Sequence, residues 1–385
     1  MSCHLRRLAS FAVASLTLGP SLFAQPEDFE IRTGKPVEAL PGEVHLQNVR
    51  QLTFVGENAE AYWSHDGTKL VFQRKHEFPA DQIYILDLVT GERRMVSTGL
   101  GATTCAYFLQ GDEEIVFAST HGGGAEPPKA VRAINGRYVW PIFGSYDIYK
   151  VKIDGTGLTQ LTDHSGYDAE ATVDPVTGRI VFTSMRDGDL ELYSMESDGS
   201  DVRRLTNRLG YDGGAFYSPD GTKLIQRSGY FADDTERTTY RDLLADGYVM
   251  PSKMELTWID AAGGEVNQIT DNGKANFAPF WHPSGEKLLF SSNMDAPRGR
   301  DFEIYMVGLD GEGLERVTYN ESFDGFPMFS PNGKFLVFAS NRFGANRGDT
   351  NLFVAEWIEN PESGEQEAVP ATPLQPGGGD GRRRR

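Results

Sequence analysis

The sequence predicts an all-β fold, a six-bladed β-propeller with four antiparallel strands per blade. Three observations carry that prediction. A turn signal recurs six times, at Ser64-His65-Asp66-Gly67, Leu109-Gln110-Gly111-Asp112, Asp174-Pro175-Val176-Thr177-Gly178, Ser218-Pro219-Asp220-Gly221, His282-Pro283-Ser284-Gly285 and Ser330-Pro331-Asn332-Gly333. An apolar strand follows each one: Leu70-Val71-Phe72, Ile115-Val116-Phe117, Ile180-Val181-Phe182, Leu224-Ile225, Leu288-Leu289-Phe290 and Leu336-Val337-Phe338. The two ends are also out of phase. Leu52-Thr53 is a fourth-strand ending that stands before any first strand, while the last repeat stops after its third strand, Leu352-Phe353-Val354. Internal repeats of this length indicate a ring of like units.

The elements follow in order. Asp-Gly and Asn-Gly accept the positive φ that tight hairpins need, so each signal joins a first to a second strand. A third strand then alternates in period two, as in Ile83-Tyr84-Ile85, Ile148-Tyr149-Lys150-Val151 and Ile304-Tyr305-Met306-Val307. A second turn comes at Asp154-Gly155, Asp198-Gly199 or Asp310-Gly311. The fourth strand ends near Leu161-Thr162, Leu205-Thr206, Ile269-Thr270 or Val317-Thr318. The N-terminal strand is expected to complete the last blade and close the ring, which removes an exposed sheet edge.

The propeller is expected over residues 45–358, after a lead-in at 25–44. Residues 1–24 read as a signal peptide: Arg6 and Arg7 open it, an uncharged apolar run follows, Gly19-Pro20 breaks it, and Leu22-Phe23-Ala24 offers a cleavage site. That run is too short to span a bilayer comfortably and no second one follows, so a periplasmic or secreted protein without a transmembrane segment is expected. Cys3 leaves with the signal and Cys105 remains alone, so an intrachain disulfide is not expected. Residues 359–385 lose apolar periodicity, finish in four arginines and read as a disordered tail.

The formal net charge of -18 excludes a nucleic-acid binder, which needs a surplus of Lys and Arg. Losing Arg6 and Arg7 takes it to -20, and setting the four tail arginines aside leaves a body at -24 that attracts cations. No Gly-rich phosphate loop opens a helix, which removes a nucleotide site. No Gly-x-Ser-x-Gly elbow is present either, so a serine peptidase is not expected.

Candidate binding residues come from two places. Two long insertions fall between second and third strands, on the face that also carries the inter-blade connections. One spans 121–145 with His121, Arg132, Arg137, Tyr138, Trp140 and Phe143; the other spans 229–253 with Tyr230, Phe231, Tyr240, Arg241 and Tyr248. Residues 233–244 of the second read as a short capped helix. Aromatics and Arg on long loops over a rigid scaffold are common recognition elements, though they also serve to pack loops onto a rim. The starts of the inner strands form two columns. Asn58, Thr103, Asp168, Asp212, Asn276 and Asp324 are all polar and suit side-chain capping of a turn. Two residues on, Glu60, Cys105, Glu170, Gly214, Ala278 and Phe326 are expected to point into the central pore. Glu60, Asp168, Glu170, Asp212 and Asp324 would then converge on one mouth. His76, His121 and His164 would join that face and, with Cys and carboxylates, supply metal-ligand chemistry, although the spacing matches no sharp metal motif. His65 and His282 belong to hairpins of the opposite face. Arg74, Arg186, Arg227 and Arg342 recur at second-strand ends, which suggests blade-to-blade pairing with acids.

The run Ser218-Pro219-Asp220-Gly221 with Lys223-Leu224, after Leu205-Thr206, resembles the repeat of the TolB-like propeller family over about residues 45–358. The resemblance implies a periplasmic, mostly non-enzymatic role in binding proteins. The leading expectation is an exported monomer that binds a protein or peptide of the cell envelope through the inserted-loop face and requires no cofactor. The alternative is a metal-dependent polysaccharide lyase or hydrolase with a divalent cation at Glu60, Cys105 and Glu170. Some propeller lyases of this repeat type hold a metal with pore-facing side chains.

Overall fold

The Leu-Thr dipeptides that end the repeats are the joints of the fold. In the computed structural model, which describes residues 29–129, 131–296, 301–320 and 322–361, six antiparallel blades of four strands form, and the sixth sheet also carries Lys35–Pro36 as a short fifth strand beside Leu46–Gln51. The signal-like segment and residues 362–385 lie outside the described residues. The first blade comprises Glu57–Trp63, Lys69–Lys75, Gln82–Asp87 and Arg93–Met95; the second, Thr103–Phe108, Glu114–Ser119, Asp147–Lys152 and Thr159–Gln160. The third comprises Asp168–Val173, Ile180–Ser184, Glu191–Met195 and Arg203–Arg204; the fourth, Asp212–Tyr217, Lys223–Gly229, Met254–Asp260 and Asn267–Gln268. The fifth comprises Asn276–Trp281, Lys287–Ser292, Glu303–Gly308 and Glu315–Arg316. The sixth has Asp324–Phe329, Phe335–Ser340 and Asn351–Trp357, and its fourth strand is Leu46–Gln51 from the other end of the chain.

At each joint a hydroxyl oxygen accepts a backbone N–H near the start of the third strand. Thr162 takes Ile148 N–H, Thr206 takes Leu192, Thr270 takes Leu256 and Thr318 takes Ile304, all at 2.8–2.9 Å. Ser97 takes Ile83 N–H, and Thr53 takes Leu352 N–H, each at 2.9 Å. The hydroxyl proton goes to the polar residue just before the one whose N–H is taken, as from Thr270 to Glu255 (2.6 Å), Thr318 to Glu303 (2.7 Å) and Ser97 to Gln82 (2.8 Å). Thr53 and Asn351 repeat this pattern in the sixth blade, so the N-terminal strand is held there as the fourth strands are held elsewhere.

The apolar code of the second strand has an equally regular cause. Phe72, Phe117, Phe182 and Phe290 are fully buried and lie opposite Tyr84, Tyr149, Tyr193 and Tyr305 of their third strands. Phe338 lies opposite Phe353, and the five ring pairs have centroids 5.7–6.1 Å apart. Such pairs add about 1 kcal/mol each beyond the area they bury. The fourth blade departs from this pattern: Gln226 faces Thr257 where the others place two rings.

The predicted capped helix is present at Asp234–Ala245. Asp233 is its N-cap, accepting from Glu236 N–H (2.9 Å), and Glu236 reaches back to Ala232 N–H (2.9 Å). The first is an N-cap bond, and the second holds the residue before the cap against the first turn. Tyr240 and Leu244 bury the inner side of the helix.

Candidate functional site

Every inner strand slips its register once near its start, between residues 59 and 62, 104 and 107, 169 and 172, 213 and 216, 277 and 280, and 325 and 328. The residue placed in each slip adopts left-handed φ: Glu60 (51°), Cys105 (51°), Glu170 (59°), Gly214 (59°), Ala278 (47°) and Phe326 (55°). These are β-bulges, which add an unpaired residue and re-aim its side chain. Five of the six carry a Cβ, at a cost of about 1 kcal/mol or more each over an ordinary conformation. All six line one cavity of about 290 Å³ at the mouth of the central channel. The pore-facing column read from the sequence is therefore a ring of bulges.

The roof of this cavity is built by the insertions. Trp140–Pro141, from the second blade, pairs antiparallel with Tyr248–Val249, from the fourth, and so passes over the third. Trp140, Pro141, Ile142 and Tyr146 close one side of the cavity, with Trp140 packed 5.0 Å from the Phe277 ring. Tyr62, Tyr167, Tyr211 and Phe216 supply the walls.

Its charges fall into two groups. Glu170 is buried and satisfied on both oxygens. Oε1 pairs with Arg227, and Oε2 accepts from Tyr211 OH (2.7 Å), Thr183 OH (2.8 Å) and Gly214 N–H (2.9 Å). The Arg227 guanidinium also donates to Tyr211 OH (2.7 Å) and lies 5.5 Å from the Trp140 ring centre. Gly213 and Gly214 make room for this cluster: a Cβ at Gly213 would meet Glu170 Oε2 at 2.7 Å, and one at Gly214 would meet Arg227 Nη1 at 2.3 Å. Glu60 stands across the cavity without a salt-bridge partner among the described residues, beside the Cys105 thiol. Burial, reinforced by the charge of Glu170, raises its pKa to about 7. Burial together with Glu60 and Glu170 pushes the Cys105 thiol well above its usual range, so Cys105 is a neutral donor here.

Of the residues singled out in the sequence, Glu60, Cys105, Trp140 and Glu170 meet in this cavity. Asp168, Asp212, Asn276 and Asp324 do not line it. They are buried at the strand starts, where Asp168 pairs with Arg186 (3.0 Å), Asp212 with Arg208 (2.8 Å) and Asp324 with Arg342, while Asn276 accepts from Ser292 OH (2.7 Å). The convergence of five acids thus reduces to two, because the first column turns into the blade and only the bulged column faces the pore. Arg137 and Tyr138 are exposed on the outer roof, in a ribbon with Ala133–Ile134, and Tyr138 OH accepts from Trp140 Nε1 (3.0 Å). Tyr230 lies under the Arg208 guanidinium (4.5 Å), away from the cavity. His121 bonds Ser119 OH (2.7 Å) and packs on the Tyr149 ring, while His76 and His164 are exposed; none of the three lines the cavity. Among the described residues no group of three or more His, Cys, Asp or Glu is placed to share a metal.

By sequence Arg227 belongs with Arg74, Arg186 and Arg342 at second-strand ends, whereas in the structure it lines the cavity. The signal was its register: it stands one residue before Ser228, the partner of Asp212, whereas Arg186 and Arg342 stand two beyond Ser184 and Ser340. Arg186 and Arg342 turn back to acids of their own blades rather than pairing between blades. The Gly213-Gly214 doublet was the second signal.

No family model matches the sequence. Among solved structures, a putative TolB from Agrobacterium tumefaciens aligns at 19% identity and a TM-score of 0.51, covering 79% of this chain and 91% of that one. TolB from Acinetobacter baumannii aligns at 19% and 0.51, covering 70% of this chain and 56% of that one. An oligogalacturonate lyase in complex with manganese aligns at 15% and 0.49, below the level from which a shared fold is read. At these identities the likeness is one of fold: the chain has a TolB-like six-bladed propeller. No helix among the described residues is long and apolar enough to cross a membrane.

Proposed function

We propose that this propeller is an exported, non-enzymatic recognition protein, monomeric in the envelope, that takes a protein or peptide partner on the face bearing insertions 121–145 and 229–253. One observation carries the proposal. Two insertions from non-neighbouring blades pair with each other and roof an aromatic-walled cavity, rather than each packing on its own blade. A rigid ring with a built mouth, an exposed Arg137–Tyr138 rim and an aromatic anchor at Trp140 has the composition of a binding hot spot. The TolB-like fold supports the same class of role.

The test is capture of envelope proteins by wild type and by the double variant Arg137→Ser/Tyr138→Ser, whose side chains are exposed and bear little on folding. Wild type is expected to enrich a discrete partner that the variant retains about tenfold less, at an unchanged melting temperature. Equal retention by both proteins, or no partner with either, overturns the proposal.

A further inference from the structure

Resting on that assignment of the binding face, we infer that the roofed cavity is a pocket for the ammonium group of a partner's lysine side chain, received by Glu60 among aromatic walls. Four ionisable groups other than tyrosine face the cavity: Glu60, Cys105, Glu170 and Arg227. Arg227 and Glu170 cancel one another, and the Cys105 thiol is neutral. The remaining charge is the Glu60 carboxylate, whose ionised form is left uncompensated. A carboxylate held from water without a counter-charge is costly and tends to keep its proton, so an entering cation supplies the missing counter-charge and lets Glu60 ionise against it.

The walls select among cations. Tyr62, Trp140, Tyr167, Phe216, Phe277 and Phe326 surround the space, and aromatic faces attract ammonium and guanidinium groups once both are desolvated. A bare metal ion fits less well, because both Glu170 oxygens are occupied and only Glu60 and a protonated thiol remain, fewer donors than the three or four that such ions take. At about 290 Å³ the cavity lies at the low end of ligand pockets, enough for one long side chain rather than an oligosaccharide. A slender aliphatic stem with a compact charge suits it better than a branched guanidinium beside Arg227.

Cys105 reports on occupancy, since it lies on the cavity wall next to Glu60 and is the sole Cys among the described residues. The probes are the N-acetylated, C-amidated tripeptide Gly-Lys-Gly and the same peptide with norleucine in place of lysine. The lysine peptide is expected to slow modification of Cys105 by a neutral maleimide about tenfold at saturating concentration. The norleucine peptide should leave the rate unchanged, and Glu60→Gln should abolish the protection. Equal protection by both peptides would show a merely apolar pocket, and protection that survives Glu60→Gln would place the cation elsewhere; either overturns the inference. So does protection by manganese or calcium chloride alone, lost in Glu60→Gln, without protection by the lysine peptide. The two proposals fail separately. If Glu60→Gln still captures the envelope partner while Arg137→Ser/Tyr138→Ser does not, the face stands and the lysine pocket falls. If the lysine peptide protects but no partner is captured, the reverse holds.

Discussion

Glu170 of the third blade and Arg227 of the fourth form a buried ion pair across a blade boundary, and Tyr211 OH lies within 2.7 Å of both. Removing one member leaves the other charged and unpaired in a largely buried site. Glu170→Gln and Arg227→Met should each cost about 3–5 kcal/mol in denaturant unfolding, and the double variant clearly less than their sum. Additive losses would show that the two side chains do not depend on one another.

The bulge ring predicts opposite signs at equivalent positions. Gly214→Ala puts a Cβ on left-handed backbone and within 2.3 Å of Arg227 Nη1, so it should lower stability by about 2 kcal/mol or more. Ala278→Gly, at φ 47° and with no such neighbour to protect, should be neutral or stabilise by up to about 1 kcal/mol. Melting temperatures of the two variants against wild type decide the matter.

Glu60 sets a pH signature. Its folded pKa of about 7 lies above the usual 4.5, so between those values the unfolded chain gives up a proton that the folded chain keeps. Stability from this group is therefore lost as pH rises through that window. The groups that act on it are Cys105, Glu170, Arg227, Asp81 and Tyr62. Glu60→Gln should melt with wild type near pH 4.5 and about 2 °C or more above it at pH 8, about 1 kcal/mol after allowance for access from the cavity. A difference of the same size at both pH values would count against the assignment.

Thr53 stands to the sixth blade as Thr206 stands to the third. Replacing either by Val leaves a buried third-strand N–H without its acceptor, at Leu352 or at Leu192. Each substitution should cost about 1–3 kcal/mol by denaturant unfolding. A negligible loss at Thr53 alone would mean that the N-terminal strand contributes little to the ring.

Most of the fold was legible because its regularities are local. Ser64 and Ser218 bond Asp66 and Asp220 within their own hairpins (2.6 Å), and the Thr joints lie one strand from their partners, so each leaves a fixed mark at fixed spacing. The pore-facing column was legible for the same reason. What escaped was the pairing between blades. Glu170 and Arg227 are 57 residues apart, and nothing in either neighbourhood alone announces the other. The two insertions hid their strand pairing similarly, since Trp140-Pro141 is a poor strand by composition and is held by a partner more than a hundred residues on. Asp168, Asp212 and Asp324 share their column with capping residues, and the bulge after them settles which column turns inward.

The strap formed by Trp140–Pro141 and Tyr248–Val249 ties the second blade to the fourth, and the third is enclosed between them. The other arc is fastened by the N-terminal lead-in: Arg32 and Thr33 N–H reach Leu88 O of the first blade (3.1 and 3.2 Å), Lys35–Pro36 pairs with Leu46–Gln51 in the sixth, and His45 bonds Glu315 of the fifth (2.9 Å). The ring is thus belted twice, by different parts of the chain. Removing the lead-in should therefore speed amide exchange in the first, fifth and sixth blades while leaving the strapped third blade slow.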